Sequence, residues 1–201
     1  MTTMILAGGQ SSRLGRDKAF EKIGSSTSIE RVIESAISVS ETVFIVANDT
    51  EKYDHLAKGE IRVLKDRIPM QGPLGGILTG LEASDDMLNL ALSCDSPFLS
   101  ADLLRFLVSC SKGYDVTLVR VGDRLHPLPG IYSKDCIGPI SESIRSGQRK
   151  IVSFFEDVNV NIIDSGKIKN MDRDLYSFFN INNEDDLSEA RSIAKKIGAD
   201  R

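Results

Sequence analysis

Cysteine is scarce in this sequence. Its three cysteines, Cys94, Cys110 and Cys136, lie far apart and form no CxxC pair. This spacing argues against a cysteine-based metal site. It is typical of reduced thiols in a cytoplasmic protein.

An excess of basic residues is also lacking, and so are long apolar runs. The chain has 25 Lys and Arg against 29 Asp and Glu, a net charge of −4, which argues against a general nucleic-acid-binding protein. No apolar run approaches the ~20 residues that span a bilayer, and no basic and apolar leader precedes the first predicted strand. We therefore expect a cytoplasmic protein that binds neither nucleic acid nor membranes.

Hydrophobic residues make up 41% of the 201 residues, which is enough to build a core. Short apolar runs alternate with segments that repeat apolar residues at helical spacing. The predicted strands are 4–7, 43–47, 61–64, 88–93, 116–121, 131–132 and 158–163. The predicted helices are 28–39, 51–56, 75–83, 101–110, 140–146, 151–156 and 184–197. No linker or repeat interrupts this alternation, which predicts a single domain over residues 1–201.

The predicted strands are apolar throughout, which is typical of parallel strands covered by helices on both faces. The sequence therefore predicts a three-layer α/β/α sandwich with a Rossmann-like, mostly parallel sheet. In such sheets, ligands bind at the carboxyl ends of the strands. The loops expected there are 8–18, 48–50, 65–75, 94–97 and 122–130.

The loop after the first strand has the composition of a phosphate-binding segment. In "LAGGQSSRLGRDK" the adjacent Gly8 and Gly9 let backbone N–H groups approach an anion, and Arg13 and Lys18 add positive charge. The segment is not a P-loop, because Gly9 and Gly15 are one residue too far apart. It is not a G-x-G-x-x-G fingerprint either, because its first two glycines are adjacent. An ordinary surface turn is the alternative.

The same segment resembles the L-A-G-G-x-x-x-R-M-G-x-x-K loop of nucleotidyltransferases. Four further segments, "LKDRIPMQGPLGGILTGL", "LALSCDSPFLS", "HPLPGIY" and "FNINNEDDLSEA", resemble motifs of the molybdenum cofactor guanylyltransferases in the same order. The resemblance runs from Leu6 to about Ala190 and implies a nucleotidyltransferase-type sheet. The chain departs from the family pattern at Leu14, Arg16 and the pair 183–184.

The resemblance implies transfer of GMP from Mg-GTP to the terminal phosphate of molybdopterin, with release of pyrophosphate. A phosphate monoester is largely ionised at neutral pH and is already a nucleophile, so no general base is expected. The implied cofactor is Mg²⁺, with Mn²⁺ as an alternative. The implied partners are GTP and molybdopterin, together with proteins of molybdenum cofactor insertion or molybdoenzyme maturation.

The resemblance also assigns roles to single residues. The expected catalytic residues are Arg13, Lys18 and Asp95, of which Asp95 is the metal ligand, since a hard carboxylate suits Mg²⁺. The expected nucleotide contacts are Leu6, Ala7, Gly8, Gly9, Lys18, Asn48, Asp66, Gly72, Gly75, Gly76 and Asp95. Asp66 would accept hydrogen bonds from the guanine ring or from a ribose hydroxyl. A turn former is the alternative for Asp66, and a register one or two residues earlier is the alternative for Asn48.

The expected second-substrate residues are His126, Arg149, Asn180 and Asn182. The two asparagines flank Ile181 with strand alternation, which places both amides on one side. An exposed connecting loop is the alternative for His126, and a solvated helix start is the alternative for Arg149.

Three other functions remain open from the sequence. Cytidylyl relatives tend to carry LAAG where this chain has "LAGG". Sugar-phosphate nucleotidyltransferases are usually longer. A non-catalytic nucleotide-binding regulator would be favoured by loss of Lys18 or Asp95, and both residues are present.

Overall fold

The computed structural model describes residues 1–8, 17–68 and 71–198. The predicted site residues Gly9 and Arg13 lie outside the described residues. None of the described helices is long and apolar enough to cross a membrane.

The described residues form nine strands, seven of which build one sheet. They are β1 (Thr2–Leu6), β2 (Lys22–Ile23), β3 (Ser26–Thr27), β4 (Thr42–Ala47), β5 (Ile61–Lys65), β6 (Leu88–Ser93), β7 (Val116–Val121), β8 (Arg124–Ser133) and β9 (Val160–Asp164). The order in the sheet is β5-β4-β1-β6-β8-β7-β9. Within the described part of this seven-stranded sheet, only β8 runs antiparallel to its neighbours, β6 and β7. The mostly parallel sheet is therefore confirmed, and the small β2–β3 hairpin is an addition that the sequence did not predict.

Five α-helices surround the sheet in the described part of the chain. They are α1 (Ser28–Ile37), α2 (Gly72–Ala83), α3 (Ala101–Ser109), α4 (Ile137–Arg145) and α5 (Glu184–Lys196). Segments 51–56 and 151–156, predicted as helices, are 3-10 helices, of which the second extends to Asp157.

Apolar side chains cover both faces of the sheet. In β1, Ile5 packs with α1 and α3 on one face, whereas Met4 and Leu6 pack with α2 and α4 on the other. Since successive side chains of a strand point to opposite faces, a strand that is apolar throughout must be covered twice. The predicted three-layer sandwich is therefore confirmed. Helix α5 packs on a smaller cluster that contains Ile23, Phe98 and Ile181.

The cap of α1 differs from the prediction, and so do the starts of α2 and α4, of which α4 begins at Ile137 rather than at 140. Thr27, not Ser28, caps α1, because its hydroxyl accepts from the N–H of Glu30 while the Glu30 carboxylate accepts from the N–H of Thr27. Helix α2 begins at Gly72, three residues before the predicted start. Gly72 has a φ of 62°, a conformation that glycine adopts at little cost.

The prediction of a loop at 122–130 is wrong, because β8 occupies most of this segment. The prolines of "HPLPGIY" obscured the strand, since proline cannot donate to the ladder and is typical of loops. The sheet accommodates them with a register shift: Thr117 pairs with Ile131, whereas Val119 pairs with His126. Gly130 is needed inside this irregularity, because a Cβ there would lie 2.5 Å from the carbonyl oxygen of Pro127.

The residues around Ile181 alternate between exposed and buried as expected, but they do not form a strand. Residues 179–182 follow an irregular path before α5, with Ile181 buried and both flanking asparagines exposed. The side chain of Ile181 packs with α5 rather than in a sheet.

Candidate active site

A pocket of about 250 Å³ opens at the carboxyl ends of β1, β4, β5 and β6. Predicted site residues line it: Leu6, Ala7, Gly8, Lys18, Asp66, Gly72, Gly76 and Asp95. Lining residues that were not predicted as site residues are Asp17, Val46, Pro73, Ser93, Cys94 and Leu128. The strand ends thus bring together residues from four distant parts of the sequence, as the parallel sheet predicted.

Asp95 lies at the bend that follows β6. Ser93 Oγ donates to Asp95 Oδ1 over 2.6 Å, and the N–H of Ile181 donates to the Asp95 carbonyl over 3.0 Å. Burial raises the pKa of the Asp95 carboxyl, whereas the hydrogen bond from Ser93 and the charge of Lys18 oppose this rise. The carboxylate is therefore fixed in direction and is placed where a cation would relieve the cost of its burial.

Lys18 faces Asp95 from the start of a short 3-10 helix, Lys18–Phe20. Its Nζ lies 3.4 Å from Asn182 Oδ1, to which it donates. Asn182 comes from the far end of the chain, and its neighbour Asn180 accepts from Ser96 Oγ over 2.8 Å. Both predicted asparagines therefore contact the Lys18–Asp95 region, although they do not line the pocket.

Asp66 follows β5 and is buried. Its Oδ1 accepts from the N–H of Ile68 over 3.0 Å and from Thr79 Oγ1 over 3.1 Å. Asn48 follows the neighbouring strand β4, and its Nδ2 donates to the carbonyl of Gly8 over 2.8 Å. Asn48 is exposed and borders the pocket through this contact with Gly8.

Two glycines of α2, Gly75 and Gly76, lie too close to neighbouring atoms to carry a side chain without displacing them. A Cβ on Gly76 would lie 3.0 Å from Leu6 Cδ2, and a Cβ on Gly75 would lie 2.9 Å from the carbonyl oxygen of Ile68. Both glycines therefore let α2 approach the strand ends closely. Gly76 also lines the pocket, whereas Gly75 does not, although a Cβ on Gly75 would lie 3.5 Å from Asp66 Oδ2.

Asp17 is a pocket residue that sequence reasoning missed. Its Oδ1 accepts from the N–H of Ala19 and caps the 3-10 helix that carries Lys18, and its Oδ2 accepts from Tyr53 Oη at 3.4 Å. The sequence signal was an aspartate directly before a short helical turn, a typical cap position. The contact with Tyr53 could not be predicted from the sequence, because Tyr53 lies in a separate 3-10 helix, Glu51–Leu56.

Cys94 has no nucleophilic role in this geometry. The side chain packs against the hydrophobic core at the pocket, and burial raises the pKa of its thiol far above neutral pH. The thiol therefore stays protonated, and the thiolate is the reactive form of cysteine.

His126 and Arg149, which were expected near a second substrate, do not line this pocket. His126 is half-buried in β8 and packs edge-on against Phe178, with ring centroids 4.9 Å apart. Burial, and secondarily the charge of Arg124, lowers the pKa of His126. Arg149 is exposed, and its carbonyl oxygen lies 3.8 Å from the Cβ position of Gly72 at the pocket wall. In β8 it is Leu128, two residues beyond His126, that lines the pocket.

Comparisons with known proteins agree with this arrangement. Residues 3–160 match the MobA-like NTP transferase domain. A probable molybdenum cofactor guanylyltransferase of Pelotomaculum thermopropionicum is 36% identical over 194 residues, which cover 96% of this chain and 93% of the relative. A molybdenum cofactor guanylyltransferase of Desulfosudis oleivorans is 30% identical over 197 residues, which cover 97% of this chain and 96% of the relative.

Solved structures share the fold. Molybdopterin-guanine dinucleotide biosynthesis protein A of Archaeoglobus fulgidus superposes with a TM-score of 0.85 at 27% identity, covering 98% of this chain and 100% of its own. A 2-C-methyl-D-erythritol 4-phosphate cytidylyltransferase of Thermus thermophilus reaches a TM-score of 0.73 at 15% identity, which shows the common fold alone. With its sheet order, its pocket at the strand ends and these relatives over nearly the whole chain, the protein belongs to the MobA-like NTP transferase family.

Proposed function

We propose that this protein transfers GMP from GTP to the terminal phosphate of molybdopterin, which yields molybdopterin guanine dinucleotide and pyrophosphate. The observation that carries the proposal is the convergence of Lys18 and Asp95 beside Gly8 in one pocket. The names of the relatives support guanine as the base and molybdopterin as the acceptor.

The donor set fits a magnesium ion. Mg²⁺ is usually held by one or two protein carboxylates, and its other ligands are phosphate oxygens and water. Asp95 offers such a carboxylate, and the described residues contain no group of three or more acidic, histidine or cysteine side chains that would suggest a metal held by protein alone. Mg²⁺, or Mn²⁺ in its place, would supply positive charge to the triphosphate oxygens.

The chemistry needs little from the protein besides position and charge. An oxygen of the molybdopterin phosphate forms a bond to the α-phosphorus of GTP, and the bond from that phosphorus to the pyrophosphate oxygen breaks. Lys18 would stabilise the negative charge that develops on the phosphates. The N–H groups of the first loop, including that of Gly8, would hold the phosphates in line for the displacement. In the same loop, Gly9 would present a backbone N–H group to the phosphates, and Arg13 would add positive charge.

The remaining pocket residues would bind the nucleoside and the second substrate. Asp66 would accept a hydrogen bond from the nucleoside, and Asn48 would contact it beside Gly8. Leu6, Ala7, Gly72, Gly75 and Gly76 would form the wall of the nucleoside site. His126, Arg149, Asn180 and Asn182 would border the molybdopterin site.

The proposal includes the setting of the reaction. One domain over residues 1–201 would carry out the transfer in the cytoplasm, where its three unpaired cysteines would stay reduced. Its product would pass to proteins that insert the cofactor or mature the molybdoenzymes.

The base preference provides the first test. A ligand that binds only the folded protein raises its apparent stability, so thermal unfolding with each of GTP, CTP, ATP and UTP plus Mg²⁺ ranks their affinities. GTP should raise the melting temperature clearly more than the other nucleotides. Equal shifts for all four, or the largest shift for CTP, would contradict the guanine assignment. Pyrophosphate release from GTP that requires added molybdopterin would then establish the acceptor.

A further inference from the structure

A buried threonine on α2 contacts the pocket carboxylate of Asp66. Thr79 is 4% exposed, and its Oγ1 lies 3.1 Å from both Asp66 Oδ1 and the backbone nitrogen of Arg67. No sequence pattern singles out this residue, because Thr79 lies 13 residues from Asp66 in the middle of a helix.

The direction of these hydrogen bonds follows from their chemistry. The N–H of Arg67 can only donate, so Thr79 Oγ1 accepts from it. The single hydroxyl proton of Thr79 is then left for Asp66 Oδ1. Because that oxygen also accepts from the N–H of Ile68, two donors occupy it and fix the plane of the carboxylate.

The other oxygen of Asp66 is arranged differently. No residue in the described ranges 1–8, 17–68 and 71–198 donates to Oδ2. A Cβ added to Gly8 would lie 3.9 Å from Oδ2, and a Cβ added to Gly75 would lie 3.5 Å from it. Side chains at these two positions would therefore narrow the space next to Oδ2. Gly8 and Asp66 both line the pocket.

We propose that Thr79 is a positioning residue for nucleotide recognition. It holds Oδ1 of Asp66 so that Oδ2 alone accepts a hydrogen bond from the nucleoside part of the substrate. The donor is a ribose hydroxyl or a ring N–H of the base. It donates to Oδ2 of Asp66 alone, and Oδ1 does not take part in a bidentate contact. This inference rests on the proposed role of Asp66 in nucleotide binding.

The test compares Thr79→Val with Thr79→Ser and with a matched control. Valine keeps the shape of threonine but removes the hydroxyl, whereas serine keeps the hydroxyl. Thr117→Val makes the same change at another buried threonine, whose hydroxyl has no hydrogen-bond partner among the residues that the structure describes. For each variant, KM for GTP and kcat are measured from pyrophosphate release, and the dissociation constant for GTP is measured by calorimetry.

Thr79→Val should raise KM and the dissociation constant for GTP about tenfold, the effect of one hydrogen bond to a charged group, with a smaller change in kcat. Thr79→Ser should restore most of the affinity, and Thr117→Val should leave it unchanged. A merely structural threonine would lower the melting temperature without changing the affinity of the folded protein. If Thr79→Val does not fold, Thr79→Ala removes the same hydroxyl without placing a new methyl group in its position.

An Asp66→Ala variant separates this inference from the proposed function. If Asp66→Ala leaves GTP affinity unchanged, the proposed role of Asp66 fails. If Asp66→Ala weakens GTP binding and the folded valine variant at position 79 binds GTP like the wild type, only the role of Thr79 is overturned. In the Asp66→Ala background, Thr79→Val should have no further effect on affinity, because the two residues act through one contact.

Discussion

Replacing Asp95 with asparagine tests the centre of the proposed mechanism. The amide has nearly the shape of the carboxylate, and its oxygen can still accept from Ser93 as Asp95 Oδ1 does at 2.6 Å. Since burial raises the pKa of Asp95, the charged form is costly in the folded protein, and a neutral amide relieves that cost. Asp95→Asn should therefore fold with a melting temperature equal to or above that of the wild type.

The activity of Asp95→Asn should fall steeply. An amide is a weaker ligand than a carboxylate for a hard cation, so the charge opposite the phosphates is reduced. Loss of one comparable electrostatic contact costs about 10²–10³ in rate, which corresponds to about 2.7–4 kcal/mol. GTP should still bind through Gly8, Lys18 and Asp66, but its affinity should depend less on added Mg²⁺.

The assay is pyrophosphate release from GTP in the presence of Mg²⁺ and molybdopterin. Asp164→Asn is the control, because Asp164 ends β9 of the same sheet and forms an exposed ion pair with Arg120 over 3.7 Å. Exposed pairs of this kind contribute little, so the control should keep wild-type activity and stability. Wild-type turnover by a folded Asp95→Asn would remove Asp95 from the mechanism.

Two further predictions concern the first loop and the first helix. Lys18→Ala should slow turnover about 10²-fold or more, as loss of a phosphate-stabilising cation does, and should weaken GTP binding with the melting temperature unchanged. The control is Lys22→Ala, which changes an exposed lysine of β2. Unchanged turnover in Lys18→Ala would refute the role of Lys18 in stabilising the phosphates. Thr27→Ala removes the α1 cap and should lower the free energy of unfolding by about 1 kcal/mol. Hydrogen bonds from Thr27 hold the pKa of Glu30 below its ordinary 4.5, so this stabilisation is complete above pH 4.5 and is lost as the pH falls toward the lowered pKa. Chemical denaturation of the wild type and of Thr27→Ala from pH 7 to pH 3 should show the difference between their free energies of unfolding becoming smaller. A difference that grows as the pH falls would contradict the capping role of Thr27.

The sequence alone determined the main elements of the sheet. The apolar strands at 43–47, 88–93 and 116–121 were predicted within one residue of the observed bounds, because a fully buried strand carries its own signal in consecutive residues. The same reasoning placed Asp66 and Asp95 at one edge of the sheet, since the carboxyl ends of parallel strands meet there.

Where several features compete locally, the sequence pattern failed. The prolines of β8 are typical of a loop, and only pairing with both β6 and β7 makes a strand there. Asn180 and Asn182 showed alternation without forming a strand, because burial of Ile181 against α5 gives the same pattern.

Only the tertiary structure decided which side chains meet. Lys18 and Asn182 are 164 residues apart in sequence, and the hydroxyl of Thr79 reaches Asp66 from the middle of a helix. Periodicity along the chain reports which face of an element is buried, but it carries no information on the partner of a buried polar group. Such partners depend on how whole elements pack, and at the pocket that packing sets the direction of the Asp66 carboxylate.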